Sequence, residues 1–142
     1  MTASRSERGS VTVELTLVVP ALVLVLGLLV AGGRLWFARA TVVEAAQSAA
    51  RAASLARTAG AAGADGRAAG QSSLSTAGLV CSATSVQVET AAFAVPVGTP
   101  ATVRSTVGCT VPLADVVLPG LPGSIRLIGD GAAALDTYRS RR

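Results

Sequence analysis

The sequence contains neither histidine nor lysine. Their absence removes Ser-His-Asp and Cys-His catalysis, Ser-Lys pairs, Schiff-base chemistry and every metal site that needs an imidazole. A Walker-type phosphate loop ends on Gly-Lys and is excluded for the same reason. Only two cysteines are present, too few for a structural zinc site. No pair of acidic residues lies close enough in sequence to propose carboxylate-only catalysis. An enzyme is therefore not expected, nor are a metal or a cofactor.

Charge and aromatic rings are scarce as well. Charged residues make up 14% of the 142-residue chain and aromatics 3%, while 51% is hydrophobic. An ordinary soluble domain carries roughly 25% charge, so the apolar excess must go into a membrane or into close packing of Ala, Val and Leu. The net charge of +4 comes from 12 Arg against 8 acidic residues. The Arg residues are scattered, without interleaved aromatics, which gives no support for direct nucleic-acid binding.

The apolar residues are unevenly placed. From Leu15 to Gly33 there is no charge, and the run holds Leu15, Leu17, Val18, Val19, Leu22, Val23, Leu24, Val25, Leu26, Leu28, Leu29 and Val30. About 20 such residues at roughly 1.5 Å each cross a hydrocarbon core of roughly 30 Å. At about −0.4 kcal/mol per Leu or Val, insertion gains roughly −5 kcal/mol. A transmembrane helix is expected, bent at Pro20, which has no N–H to donate. Gly27 and Ala31 form a small-xxx-small pair of a kind common by chance. A cleaved secretory signal would use Ala38-Arg39-Ala40, but Arg34 and Arg39 put charge where cleavage regions are neutral, and the helical pattern continues beyond. Arg5 and Arg8 precede the run and Arg34 and Arg39 follow it, so the positive-inside rule favours a cytoplasmic N-terminus by a narrow margin.

Beyond the apolar run, Glu44, Gln47, Ser48, Arg51, Ser54 and Thr58 fall on one helical stripe. Leu35, Val42, Ala46, Ala49, Ala53 and Ala56 fall on the other side. One helix over 13–58 is expected, its outer half a stalk. Gly60, Gly63, Gly66 and Gly70 then break the pattern, leaving room for a short helix near 66–77 capped by Asp65. Thr84, Val86, Val88 and Thr90 alternate with polar residues as a strand. Val103, Ser105, Val107, Cys109 and Val111 share one face of a second. Residues 113–123 read as a loop, Ser124–Ile128 as a short third strand, and Tyr138 as an anchor for an exposed tail. Such a sheet of three or four strands cannot bury a core by itself and needs the Ala face of the helix. The fold class is α+β: a long N-terminal helix packed on a small antiparallel sheet.

An even pair of cysteines outside the cytoplasm favours a Cys81–Cys109 disulfide over two buried free thiols. Cys81 is out of phase with Val86 and Val88, so the pairing needs a bulge or turn near it.

Glu14 opens the apolar run. A carboxylate there can be a helix N-terminal acid in the headgroup region. Its surroundings, Arg8-Gly9-Ser10-Val11-Thr12-Val13-Glu14-Leu15 and the run to Pro20, resemble a type IV prepilin signal: a basic leader, Gly at the cut and Glu fifth in the mature chain. With Val43-Glu44-Ala45-Ala46, Ala49-Ala50-Arg51-Ala52-Ala53, the cysteine pair and Pro119-Gly120-Leu121-Pro122-Gly123, the chain resembles TadE-like proteins of an actinobacterial type. These are minor pilins or pseudopilins of Tad/Flp pilus systems. Leu15 departs from the Phe that such proteins often carry.

The resemblance implies processing by prepilin peptidase between Gly9 and Ser10 and an assembly role for Glu14. It also implies partnership with other pilins and Tad platform proteins, and a location in the cell membrane in or at the base of a pilus. The implied organisation is a leader over 1–9, a transmembrane helix over 10–33 and a stalk over 34–58. A Gly/Ala/Ser-rich linker or short helix follows over 59–78, then a small β-rich extracytoplasmic domain over 79–142. The alternative is a single-pass membrane protein whose outer domain binds a partner without polymerising.

Overall fold

The computed structural model describes residues 8–116, 120 and 122–138. Helix α1, Arg8–Leu55, runs without interruption for 48 residues and contains Pro20. It ends where the Ala56 N–H turns back to the Ala53 carbonyl and Thr58 adopts an extended conformation. Helix α2, Ala59–Thr76, then descends along α1. It begins earlier than the sequence pattern implies. Its cap is Thr58 rather than Asp65, with Thr58 Oγ1 accepting a hydrogen bond of 3.1 Å from the Ala61 N–H. The glycines within it do not break the helix, because packing outweighs a propensity cost of about 1 kcal/mol each. A Cβ on Gly66 would stand 2.8 Å from Val88 Cγ2 and 3.0 Å from the Ala49 carbonyl oxygen, and one on Gly70 would stand 3.2 Å from Val86 Cγ1. Only glycine lets α2 lie this close to both α1 and the sheet.

Three strands form an antiparallel sheet in the order β1-β2-β3: β1 (Ala83–Glu89), β2 (Ala101–Pro112) and β3 (Ser124–Leu135). A short 3-10 turn, Ala91–Ala94, follows β1, and a one-turn helix, α3 (Leu113–Val116), follows β2 where a plain loop was expected. Val103, Ser105, Val107, Cys109 and Val111 all face the helices and are buried, as their alternation implies. Strand β3 reaches seven residues past the expected end at Ile128. Its continuation, Gly129-Asp130-Gly131-Ala132-Ala133-Ala134-Leu135, has little β propensity. It is held instead by a full ladder to β2 and by contact with α1. A Cβ on Gly129 would stand 2.7 Å from the Val42 carbonyl, and one on Gly131 would overlap the Ala46 carbonyl.

The core lies between this sheet face and the two helices. Nearer the apolar run it comprises Ala38, Val42, Ala45, Ala46, Leu74, Val107, Cys109, Val111 and Leu127. Farther out it comprises Ala53, Ala62, Val103 and Leu135. Cys81 and Cys109 form a disulfide, with Cα atoms 5.4 Å apart. The phase problem is solved before β1 begins. The chain bends at Ser82, whose N–H and hydroxyl both donate to the Thr110 carbonyl at 2.8 and 3.0 Å, and Cys81 is carried round to the helix side. Tyr138 does not anchor the tail. Its side chain is 89% exposed, and the local contact is its backbone N–H donating to Asp136 Oδ1. The tail arginines and most of the 117–121 loop lie outside the described residues.

Candidate functional site

The chemically informative part of the molecule is the N-terminal half of α1. Gly9 and Ser10 lie in its first helical turn, and Glu14 follows on the same continuous helix, exposed. From Leu15 to Val30 the large apolar side chains are all at least half exposed, from 50% at Val19 to 75% at Leu28. The helix is long and apolar enough to cross a membrane, with a mean hydropathy of 2.7 over its most apolar 18 residues and only 6% of that stretch buried. The core helix of a soluble domain would be largely covered by its own fold, and this apolar stretch of α1 is not. One membrane-spanning helix near the N-terminus fits a single-pass protein.

Polar residues bound the span. Glu14 stands at one edge and Arg34 at the other. Their separation of about 20 residues is roughly 30 Å of helix, one hydrocarbon thickness. Just past Arg34 come Trp36 and Phe37, 76% and 64% exposed, and then Arg39. An aromatic pair between two arginines at the end of an apolar run is an interfacial pattern, and its four residues are legible in the sequence. Trp36, Arg39, Ala40, Val43 and Glu44 line a shallow groove along the outer side of α1.

The Gly27–Ala31 pair does not form an open seam. Gly27 has free space around it, but Ala31 is buried, only 8% exposed. Beside Ala31, residues Val30, Gly33, Arg34, Phe37 and Ala38 of α1 face Ala77, Gly78, Leu79 and Asp115 across a cleft. The folded head thus reaches down onto the top turn of the apolar run.

The predicted site residues therefore fall in two places. Gly9, Ser10 and Glu14 lie together in the N-terminal turns of α1, remote in sequence from the head. Cys81 and Cys109 sit inside the head and serve its packing. Among the described residues, no group of three His, Cys, Asp or Glu side chains comes together to hold a metal.

Residues 9–51 match the family model described as TadE-like protein. The match starts at Gly9, takes in Glu14 and the whole apolar run, and ends at Arg51 in the stalk; the sheet lies outside it. No curated protein and no solved structure matches the chain.

Proposed function

We propose that this protein, TadE-like over residues 9–51 and related through that segment to Tad pilus systems, is a membrane-anchored minor pilin or pseudopilin. In this role it is cut by prepilin peptidase after Gly9 and takes part in assembling a Tad/Flp-type pilus or a related secretion apparatus. The observation that carries the proposal is the family match beginning at Gly9 on a helix whose apolar run is exposed from Leu15 onward. An N-terminus inside the cytoplasm and a head outside it follow from this role.

The chemistry is coherent. Cleavage between Gly9 and Ser10 leaves the helix attached to the head and creates an α-amine on Ser10. Within a bundle of such helices, Glu14 of one subunit pairs with the Ser10 amine of a neighbour. An unpaired carboxylate is costly in a low-dielectric setting, so this pair helps set axial register. The protein acts as a structural part, with other pilins and the Tad platform proteins as partners.

Intact-mass measurement of the protein from cells that contain prepilin peptidase tests the proposal. The expected species begins at Ser10. A chain that keeps residues 1–9 points instead to the single-pass protein that does not polymerise.

A further inference from the structure

We propose that the near end of the folded head is itself a membrane-docking surface. Val80, with the turn that carries it, and Trp36 rest in the headgroup region of the bilayer that α1 crosses. The proposal depends on α1 being inserted, and the experiment below separates the two.

Geometry sets the head at the membrane. If Glu14 and Arg34 mark the edges of the hydrocarbon core, Ala31 lies about three residues, roughly 4–5 Å, inside the outer edge. Ala31 is nevertheless buried, and its neighbours Val30, Gly33 and Arg34 share an open cleft with Ala77, Gly78, Leu79 and Asp115 of the head. With the edges so placed, the lower rim of the head lies at the level of Val30 to Arg34, at the outer boundary of the bilayer.

The rim has the chemistry for that place. Gly78, with φ 71°, turns the chain out of α2, and this turn presents Leu79 and Val80. Val80 is 69% exposed although it lies next to the disulfide-bonded Cys81. Trp36 and Phe37 are exposed on α1, and Phe37 lines the cleft together with Gly78 and Leu79. Arg34 and Arg39 flank the aromatic pair, where they can meet lipid phosphates, and Asp115 is the acidic side chain of the cleft. Burial of a few apolar side chains at the boundary of headgroups and acyl chains, with Arg nearby, is the pattern of an interfacial contact. The disulfide and the bond pair from Ser82 to Thr110 tie the turn to the sheet, so docking at Val80 fixes the tilt of the whole head.

Trp36 is the only tryptophan, so fluorescence reports its position directly. The full chain is reconstituted into vesicles of phosphatidylcholine and phosphatidylglycerol whose acyl chains carry bromine just below the headgroup. Trp36 is expected to lose emission relative to unbrominated vesicles. In a Trp36→Phe background, Val80→Trp is expected to lose emission as well. Ala77→Trp serves as a second probe of the same rim, should the first variant fail to fold. Val97→Trp, at the opposite end of the sheet, is expected to be unaffected. Quenching of Trp36 but of neither rim probe overturns the docking surface and leaves the membrane span intact. Emission at the rim that is unquenched by bromine but depends on protein density assigns the rim to a second copy, and likewise overturns it. Equal quenching at Val97→Trp means that the head lies on its side, against an end-on contact. An unquenched Trp36 removes the span and the docking together.

Discussion

The Ser105 hydroxyl donates a 2.6 Å hydrogen bond to the Ala46 carbonyl oxygen, joining the middle strand to the long helix across 59 residues of sequence. Ser105 pairs with Gly131 on β3, and Gly131 is the residue whose missing side chain lets the Ala46 carbonyl approach. Gly129 does the same for Val42. Four helical residues rise about 6 Å and two strand residues about 6.6 Å. Helix and strand therefore keep step, and the two glycines mesh with successive turns of α1.

The two sides of this contact are predicted to differ in cost. Ser105→Ala removes one buried hydrogen bond and should lower stability by about 1 kcal/mol. Gly131→Ala places a Cβ against backbone that cannot rotate away and should cost more, about 1–3 kcal/mol of overpacking. Denaturant unfolding of the detergent-solubilised chain, followed by circular dichroism, measures both. A Gly131→Ala protein as stable as the parent would contradict the close approach.

The glycines of α2 allow a test in which the sign changes along one helix. Gly60 has nothing within 4 Å of an added Cβ, so Gly60→Ala should stabilise by about 0.5–1 kcal/mol through helix propensity alone. At Gly66 the same methyl meets Val88, the Ala49 carbonyl and Ala53, so Gly66→Ala should destabilise by about 1–3 kcal/mol. Melting temperatures that move in the same direction for both variants would refute the packing account.

Much of this architecture is legible in the sequence, and the exceptions share one cause. The apolar run, the Ala face of α1 and the Val103-to-Val111 alternation each carry a periodicity that survives folding, because each is set by burial of the chain's own side chains. The extent of α2 and the second half of β3 are not legible. Both depend on glycines that read locally as breakers, and only tertiary packing shows that Gly66, Gly70, Gly129 and Gly131 are points of close approach. The cysteine pair could be anticipated from compartment and the need for a bulge or turn beside Cys81 from its phase, whereas the placing of that bend at Ser82, held by Thr110, could not. At the candidate site, Gly9, Ser10 and Glu14 stand out by motif. Trp36 is legible as part of an aromatic pair between two arginines, whereas Val80 gains meaning only once the head is seen to reach the level of Val30 to Arg34.

The disulfide should matter more than any single core contact. In the chain-entropy model, a cross-link between cysteines 28 residues apart stabilises by about 3.5 kcal/mol. The Cys81→Ala/Cys109→Ala double variant should lose most of that, and reduction of the parent protein should have a similar effect. The loss should concentrate in the head. Far-UV circular dichroism is expected to show the sheet melting earlier while the helical signal of the apolar run persists. A double variant that unfolds with the parent would show that the cross-link adds nothing to the packed core.

Glu14 offers the sharpest separation between insertion and assembly. It is exposed at the first turn of the apolar run, so its replacement disturbs no packing in the head. Removing a charge at the membrane edge also makes insertion easier rather than harder. Glu14→Ala should therefore appear in the membrane fraction at parental levels and still be cut after Gly9, while its incorporation into a helical assembly with other pilins falls to background. Glu14→Gln keeps the size and hydrogen bonding of the side chain but not its charge. If attraction to the Ser10 amine is what matters, Glu14→Gln should fail as completely as Glu14→Ala. Membrane fractionation, intact mass and cross-linking to partner pilins give the three readouts. Normal cross-linking by Glu14→Ala would mean that the carboxylate is only a helix N-terminal acid, and the assembly role would pass to the apolar face of α1.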